Sequence, residues 1–430
     1  MQEIIYRGHI IHSIDQNIAE EFSDGGLVIG QDGRIIFCGN FHEAALKFTL
    51  SRVIDTSSYI LPGMIDTHTH FVQYPAIGTG SGELLPWLRD YIFPLESRFS
   101  DEDFARRVAC EFFRDVVKSG TTTIVALGSM HGSGVDAGFL AARETGIRAF
   151  IGKCLMDRAI PGIETQSARE NIDEAAELAG KWHSPDKLLN YILYPRFAPA
   201  CTMELLRLTA ELSEERKLLI QTHLSENRSE LERVRELFPG AGSYADVYYQ
   251  AGMLTARTSF AHCIHLSEPE IGLLKQFNCK ALHCPASNRY LKSGTMPVRK
   301  LLGCGIPVGL GTDIAAGYNI SIIKEMLEAI ETSKTYASAE NGLDSFINAD
   351  SALYMATLGG AQTLGIDSET GNFAAGKSAD FVVIEKAGEI FESSARRASD
   401  RISQIIYMRG KHPVKSVFVR GRRVYEAYSS

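Results

Sequence analysis

The sequence lacks the cysteine pairs, the basic clusters and the long apolar runs that would place it in several large classes. Its eight cysteines, Cys38, Cys110, Cys154, Cys201, Cys263, Cys279, Cys284 and Cys304, are scattered with no CxxC pair. Neither a thiolate zinc site nor a disulfide framework is signalled. No apolar run reaches the length of a membrane span, and Met1-Gln2-Glu3-Ile4-Ile5 has no basic segment leading into an apolar one. A cytosolic location is the expectation. The formal net charge of −8 leaves no basic footprint for nucleic acid and no polybasic patch for anionic lipid. The expected ligand is a small neutral molecule.

A chain of 430 residues, 45% hydrophobic and 22% charged, is globular and buries a large core. Its length corresponds to about two to three domains. Both ends read as short strands: Ile4 to Ile11, then Gly26 to Gly30, a turn at Gln31-Asp32-Gly33-Arg34, and Ile35 to Cys38. The C-terminal part repeats the style, with Phe381 to Ile384 and an alternating run from Val414 to Val424. Neither end has enough strands for a stable sheet alone. Residues 1–60 and 366–430 therefore read as one composite β-sandwich domain.

The middle, residues 61–365, alternates strand-like runs with amphipathic helical stretches. Asp101 to Lys118 precedes Thr121 to Val125, Met203 to Glu215 precedes Leu218 to Gln221, and Glu268 to Gln276 precedes Lys280 to Leu282. This rhythm is that of parallel βα units, and about eight of them fit a (β/α)₈ barrel, whose functional groups sit at C-terminal strand ends. One run, Leu188 to Phe197, reads as a single strand.

The strand ends carry the chemistry. Leu61 to His70 is an apolar run ending in His68-Thr69-His70, and side chains two apart on a strand point the same way. A lone His-x-His is more often two unrelated polar residues. Here three more segments, Gln221 to Glu226 with His223, Ala261-His262-Cys263 and Gly309 to Asp313, each end an apolar run in a His or Asp. Two or three neutral imidazoles plus one carboxylate leave a divalent ion with net positive charge and an open position for water, whose pKa falls toward about 7.

On these segments, together with Gly376-Lys377-Ser378-Ala379-Asp380, the chain resembles the amidohydrolase superfamily over nearly its full length. Its likeness to the guanine deaminase branch rests on His70 to Tyr74, Leu85 to Leu88, Tyr91 to Glu96, Pro195-Arg196-Phe197, Ser225-Glu226-Asn227 and Gly311 to Tyr318. The resemblance implies one divalent ion, zinc with ferrous iron as the alternative, held by His68, His70, His223 and Asp313. It also implies a small-molecule substrate, guanine, attacked at C2 by activated water to give xanthine and ammonia, in a homodimer. His262 would hydrogen-bond the water, Asp313 would accept its proton, and Glu226 would carry a proton to the ring and then to the departing amine. Relatives with two metals use a lysine at the fourth strand end, where this chain has Pro195-Arg196-Phe197. One metal is the simpler expectation.

Guanine offers O6 and N7 as adjacent acceptors, an edge that an arginine fork matches. Arg196 is the expected reader of that edge, Gln73 an amide partner to ring nitrogens, Phe197 or Trp87 a stacking wall, and His223 a further substrate contact. Taken without the resemblance, Gln73 and Arg196 read as ordinary polar loop residues and Trp87 as packing. His283 reads as a structural hydrogen-bonder, and His9, His12, His42, His131, His183, His265 and His412 as surface or structural. The alternatives are a mononuclear amidohydrolase acting on cytosine, an adenosine-type substrate or a triazine, and a non-enzymatic assembly protein on the same barrel. The second predicts missing ligands, whereas every ligand position here is filled.

Overall fold

The computed structural model describes residues 3–80, 82–159, 165–183, 188–340 and 346–427. Met1–Asp66, Arg114–Thr123 and Ser321–Ser430 form one compact unit, and Thr67–Phe113 with Ile124–Ile320 a second. The strands run β1 (Ile4–Ser13), β2 (Ala19–Ile29), β3 (Ile35–Asn40) and β4 (Arg52–Pro62), followed by β5 (Met64–His70), β6 (Thr121–Leu127), β7 (Arg148–Gly152) and β8 (Leu189–Tyr191). Then come β9 (Ile220–Leu224), β10 (Thr258–His262), β11 (Lys280–His283), β12 (Val308–Leu310), β13 (Phe381–Ile384), β14 (Val414–Val419) and β15 (Arg422–Glu426).

The two ends of the chain share one sheet in the order β15-β14-β13-β4-β1-β2-β3. Within it β1 lies parallel to β4 and antiparallel to β2, while β4 is antiparallel to β13. The period of two sends Tyr6 and Ile10 of β1 to one face and Ile5 to the other. The first face carries the larger core, with Leu27, Ile29, Ile35, Ile60, Phe381, Val383 and Phe418. There Phe381 stacks on Phe418 at 4.2 Å between ring centroids, and Tyr6 meets both edge-on at 5.0 and 5.2 Å. The second face is covered by the helix Phe41–Lys47 through Ala44.

The expected sandwich is not two packed sheets: the strands of both chain ends form one continuous seven-stranded sheet. The β2–β3 turn reaches back to the segment leading into β13, where Ile35 N–H donates to Lys377 O at 2.8 Å and Ala379 N–H to Gly33 O at 2.9 Å. Gly33 closes that turn with φ +77°, and a Cβ there would lie 2.1 Å from the Arg420 carbonyl oxygen. Glycine meets both demands.

The strands that carry the site form two four-stranded sheets, β5-β6-β7-β8 and β9-β10-β11-β12. The pairs β7–β8, β9–β10, β10–β11 and β11–β12 are parallel, as βα connections require. Helices intervene as the periodicity indicates: Gly132–Thr145, Ala168–Trp182, Met203–Arg216 and Glu268–Gln276 each separate two successive strands. Two junctions join the sheets by hydrogen bonds. Leu193 pairs with Ile220, and Asp313 N–H donates to His68 O at 2.9 Å.

Leu188 to Phe197 is not one strand. It breaks into β8 and a two-residue strand, Tyr194–Pro195, which pairs with Cys154–Leu155. Between them the chain changes partners: Ile192 N–H donates to Ile151 O, and Leu193 N–H to Leu219 O. No described helix is long and apolar enough to cross a membrane.

Phe381→Ala removes the central ring of the stack. It should lower unfolding free energy by about 3–5 kcal/mol, read from urea denaturation, while Leu50→Ala, at a position 81% exposed, should stay within about 0.5 kcal/mol of the parent.

Candidate active site

Four strand ends bring the titratable groups together. His68 and His70 close β5, His223 lies in β9, His262 ends β10, and Asp313 follows β12, its N–H bonded to His68 O. Gly311 permits this last approach, because a Cβ there would meet the His68 Cβ and carbonyl oxygen, each at 2.8 Å. Four non-glycine residues near these ends have left-handed backbones: Ser225 (φ 54°), His262 (φ 72°), Cys263 (φ 48°) and Asp313 (φ 47°). Such conformations cost energy that the surrounding hydrogen bonds offset.

Ligand atoms of His68, His70, His223 and Asp313 lie within 4.8 Å of one another. Asp313 Oδ1 is 3.4 Å from His68 Nε2 and 3.2 Å from His70 Nε2. The opposite ring nitrogens are already committed. His223 Nδ1 lies 2.6 Å from the Arg196 carbonyl oxygen, which can only accept, so the proton is on Nδ1 and the Nε2 lone pair is free to bind. His68 Nδ1 lies 2.7 Å from Gln221 Oε1. The Gln221 amide is oriented by its Nε2 donating to Thr67 O at 3.0 Å, so His68 also carries its proton on Nδ1. Outer hydrogen bonds of this kind set the tautomer in metal-binding imidazoles. Tyr194 OH stands 3.5 Å from His70 Nδ1, and Ser287 Oγ donates to Asp313 Oδ2 at 2.6 Å. The residues present fit a divalent cation.

Electrostatics agree with that fit. Burial holds the His70 imidazole down to about 4, against the pull of Asp313. Burial and the charges of His68, His262 and His70 hold His223 well below its ordinary range. Burial pushes the Asp313 carboxyl up, but the nearby His68, His70 and His262 bring it well below the usual carboxylate range. His70 and His223 are thus neutral and Asp313 ionised, the protonation states that metal binding needs.

Beside this cluster stand two more groups. His262 Nδ1 meets Asn288 Oδ1 at 2.7 Å, while its Nε2 is 3.4 Å from Glu226 Oε2 and 3.8 Å from Asp313 Oδ2. Burial, then the like charges of Glu230 and Asp313, raise the Glu226 carboxyl well above the ordinary range. Its Oε1 has no hydrogen-bond partner among the described residues.

A cavity opens onto these groups. Its polar lining is His70, Gln73, Arg196, His223, Glu226, His262 and Asp313, and its apolar lining includes Trp87, Phe197, Leu84, Leu88 and Leu291. The mixture of polar and apolar groups suits a small ligand. Every residue expected at the site lines this cavity except His68, which is buried behind it. Trp87 is held by Nε1–H donating to Thr79 O at 3.0 Å.

Sequence reasoning missed Glu96. Its carboxylate accepts from Arg196 Nη1 at 2.5 Å and from Gln73 Nε2 at 2.9 Å. Gln221, Ser287 and Asn288 were also unassigned. Gln221 carried a usable signal, since it lies two residues before His223 on a strand and so shares its face. His283, at the end of β11, is buried, and its Nδ1 has no hydrogen-bond partner among the described residues.

A profile of the Amidohydrolase family matches residues 59–424. Guanine deaminase of Escherichia coli K12 is 33% identical over 417 residues, covering 95% of this chain and 93% of that protein. Guanine deaminase of Dictyostelium discoideum is 34% identical over 445 residues, covering 98% of each. Among solved structures, guanine deaminase from C. acetobutylicum with guanine in its active site superimposes with a TM-score of 0.92 at 32% identity, covering 99% of this chain and 100% of that one.

Burial, with the charge of His262, lowers His283 to about 3. In the unfolded chain it protonates near about 6.5, so its contribution to stability is complete above that pH and is lost as pH falls toward about 3. His283→Asn should flatten the acid-side decline of stability in the metal-free protein by up to about 1.4 kcal/mol per pH unit. Denaturation curves at stepped pH measure it, and an unchanged slope would contradict the assignment.

Proposed function

The chain belongs to the amidohydrolase family, and we infer from its site that it deaminates guanine, releasing ammonia and leaving xanthine. The observation that carries this reading is that one cavity is lined by residues of the His/Asp cluster and by both purine-reading candidates, Arg196 and Gln73. Its framework is a (β/α)₈ barrel over residues 61–365, with residues 1–60 and 366–430 as a composite β domain. The two junctions between the four-stranded sheets support the barrel.

His68, His70, His223 and Asp313 would hold a divalent ion, which we take as a single zinc. Such an ion supplies Lewis-acid activation of water, lowering its pKa toward about 7. The remaining work belongs to side chains. Glu226, kept protonated by burial and like charges, donates to guanine N3 and so draws electron density from the adjacent C2. Asp313 takes a proton from the attacking water, and His262 Nε2, between Glu226 and Asp313, hydrogen-bonds that water. Glu226, left as a carboxylate, then takes the proton of the new C2 hydroxyl and passes it to the departing amine, and the proton held by Asp313 restores Glu226, so that the balance is guanine plus water to xanthine plus ammonia. A non-ligand glutamate also serves as acid and base in zinc deaminases of an unrelated fold.

Arg196 directs guanidinium donors to O6 and N7, Gln73 offers its amide to the ring, and Trp87 or Phe197 covers a purine face, with His223 a further contact. The same reading makes the protein a cytosolic homodimer of purine catabolism.

The test is ammonia release by zinc-loaded protein from guanine, adenine, cytosine and a triazine in parallel. Guanine alone should react, xanthine should accumulate, and chelation should abolish turnover until zinc is restored; turnover of another amine instead would remove the roles given to Gln73 and Arg196. Arg196→Met should raise KM or lower kcat for guanine by at least about tenfold with zinc content unchanged, and unaltered kinetics would refute its assignment.

A further inference from the structure

Glu96 stands behind the substrate cavity and touches two of its walls. It lies in the short helix Phe93–Ser97, is 4% exposed, and is not among the residues lining the cavity. One carboxylate oxygen accepts from Arg196 Nη1 at 2.5 Å, the other from Gln73 Nε2 at 2.9 Å. Gln73 Oε1 in turn accepts from Ala315 N–H at 3.3 Å. The amide therefore has one orientation, because flipping it would set nitrogen against an N–H donor and oxygen against a carboxylate. Gln73 keeps one N–H and a lone pair for the ligand. Arg196, 3% exposed, is also fixed by the Phe93 ring 4.9 Å from its guanidinium carbon. A guanidinium this deeply buried demands a counter-charge, and Glu96 supplies it.

The charge consequence bears on selectivity. Guanine is neutral at physiological pH, whereas xanthine carries an imide N–H between two carbonyls and is the stronger acid. An uncompensated Arg196 would favour oxopurine anions, including the product, over the neutral aminopurine.

We propose that Glu96 is a positioning and specificity-determining residue, cancelling the charge of Arg196 and fixing the face of Gln73 so that the cavity takes a neutral aminopurine and lets an anionic oxopurine leave. The proposal rests on the guanine reading above. Its charge effect is measured by binding alone, so the two stand or fall separately.

The experiment is calorimetric titration of zinc-loaded wild type, E96Q, E96D and R196M with urate, an oxopurine anion at neutral pH, and with hypoxanthine, a neutral one. E96Q should bind urate at least about tenfold more tightly relative to hypoxanthine than wild type does. E96D, which keeps the charge but shortens the side chain, should hold the wild-type urate-to-hypoxanthine ratio while raising KM for guanine. R196M leaves Glu96 uncancelled and should shift the ratio the other way. An unchanged ratio in E96Q overturns the proposal; if E96Q does not fold, an unchanged ratio in R196M does so. Failure of wild type to turn over guanine would sink the functional reading and leave these ratios measurable.

Discussion

The structure of the site depends on buried imidazoles whose outer nitrogens are hydrogen-bonded to fixed oxygens. His223 bonds the backbone carbonyl of Arg196, and His68 bonds Gln221, which is itself pinned by Thr67 O. With the outer protons placed, the inner nitrogens turn their lone pairs toward one another's side of the cluster. The same Arg196 whose carbonyl orients His223 turns its guanidinium to the substrate cavity. A shift of this one residue would disturb the His/Asp cluster and the cavity wall together.

The left-handed backbones at Ser225, His262 and Asp313 belong to the same economy of fixed positions. A regular strand end would carry each side chain onward along the strand direction, while a left-handed residue turns the chain back over the sheet. Asp313 then bonds His68 through its own N–H, joining β12 to β5 at the point where the ligands gather. Strain, sheet junction and ligand placement coincide at one residue.

Much of this was legible in the sequence, for physical reasons that differ by element. Glu268–Gln276 has the expected limits because the Ser267 capping box marks its start, and Phe381–Ile384 because an apolar run stands between Asp380 and Glu385. His68 and His70 were readable because alternation on a strand is local information. Strand β4 was less so. Its Asp55-Thr56-Ser57-Ser58 stretch is polar and Ser57 has φ 49°, which masks an eleven-residue strand. Leu188 to Phe197 reads as one largely apolar run, and nothing local reveals that its two halves pair with different neighbours. Glu96, Ser287 and Asn288 lie in short helices without a period, and their partners lie far away in sequence. Side chains whose meaning is set by long-range pairing leave no local signal.

The terminal sheet has a consequence for how the protein is made. Strand β4 is paired on one side by β1, which precedes it, and on the other by β13, which leaves the ribosome about three hundred residues later, roughly tens of seconds at ordinary elongation rates. Through that interval the nascent chain carries an open strand edge at Tyr59, Ile60 and Leu61, residues wholly or almost wholly buried once folding is complete. Translation that stopped anywhere before Phe381 would leave a bare edge, open to pairing with any neighbouring chain.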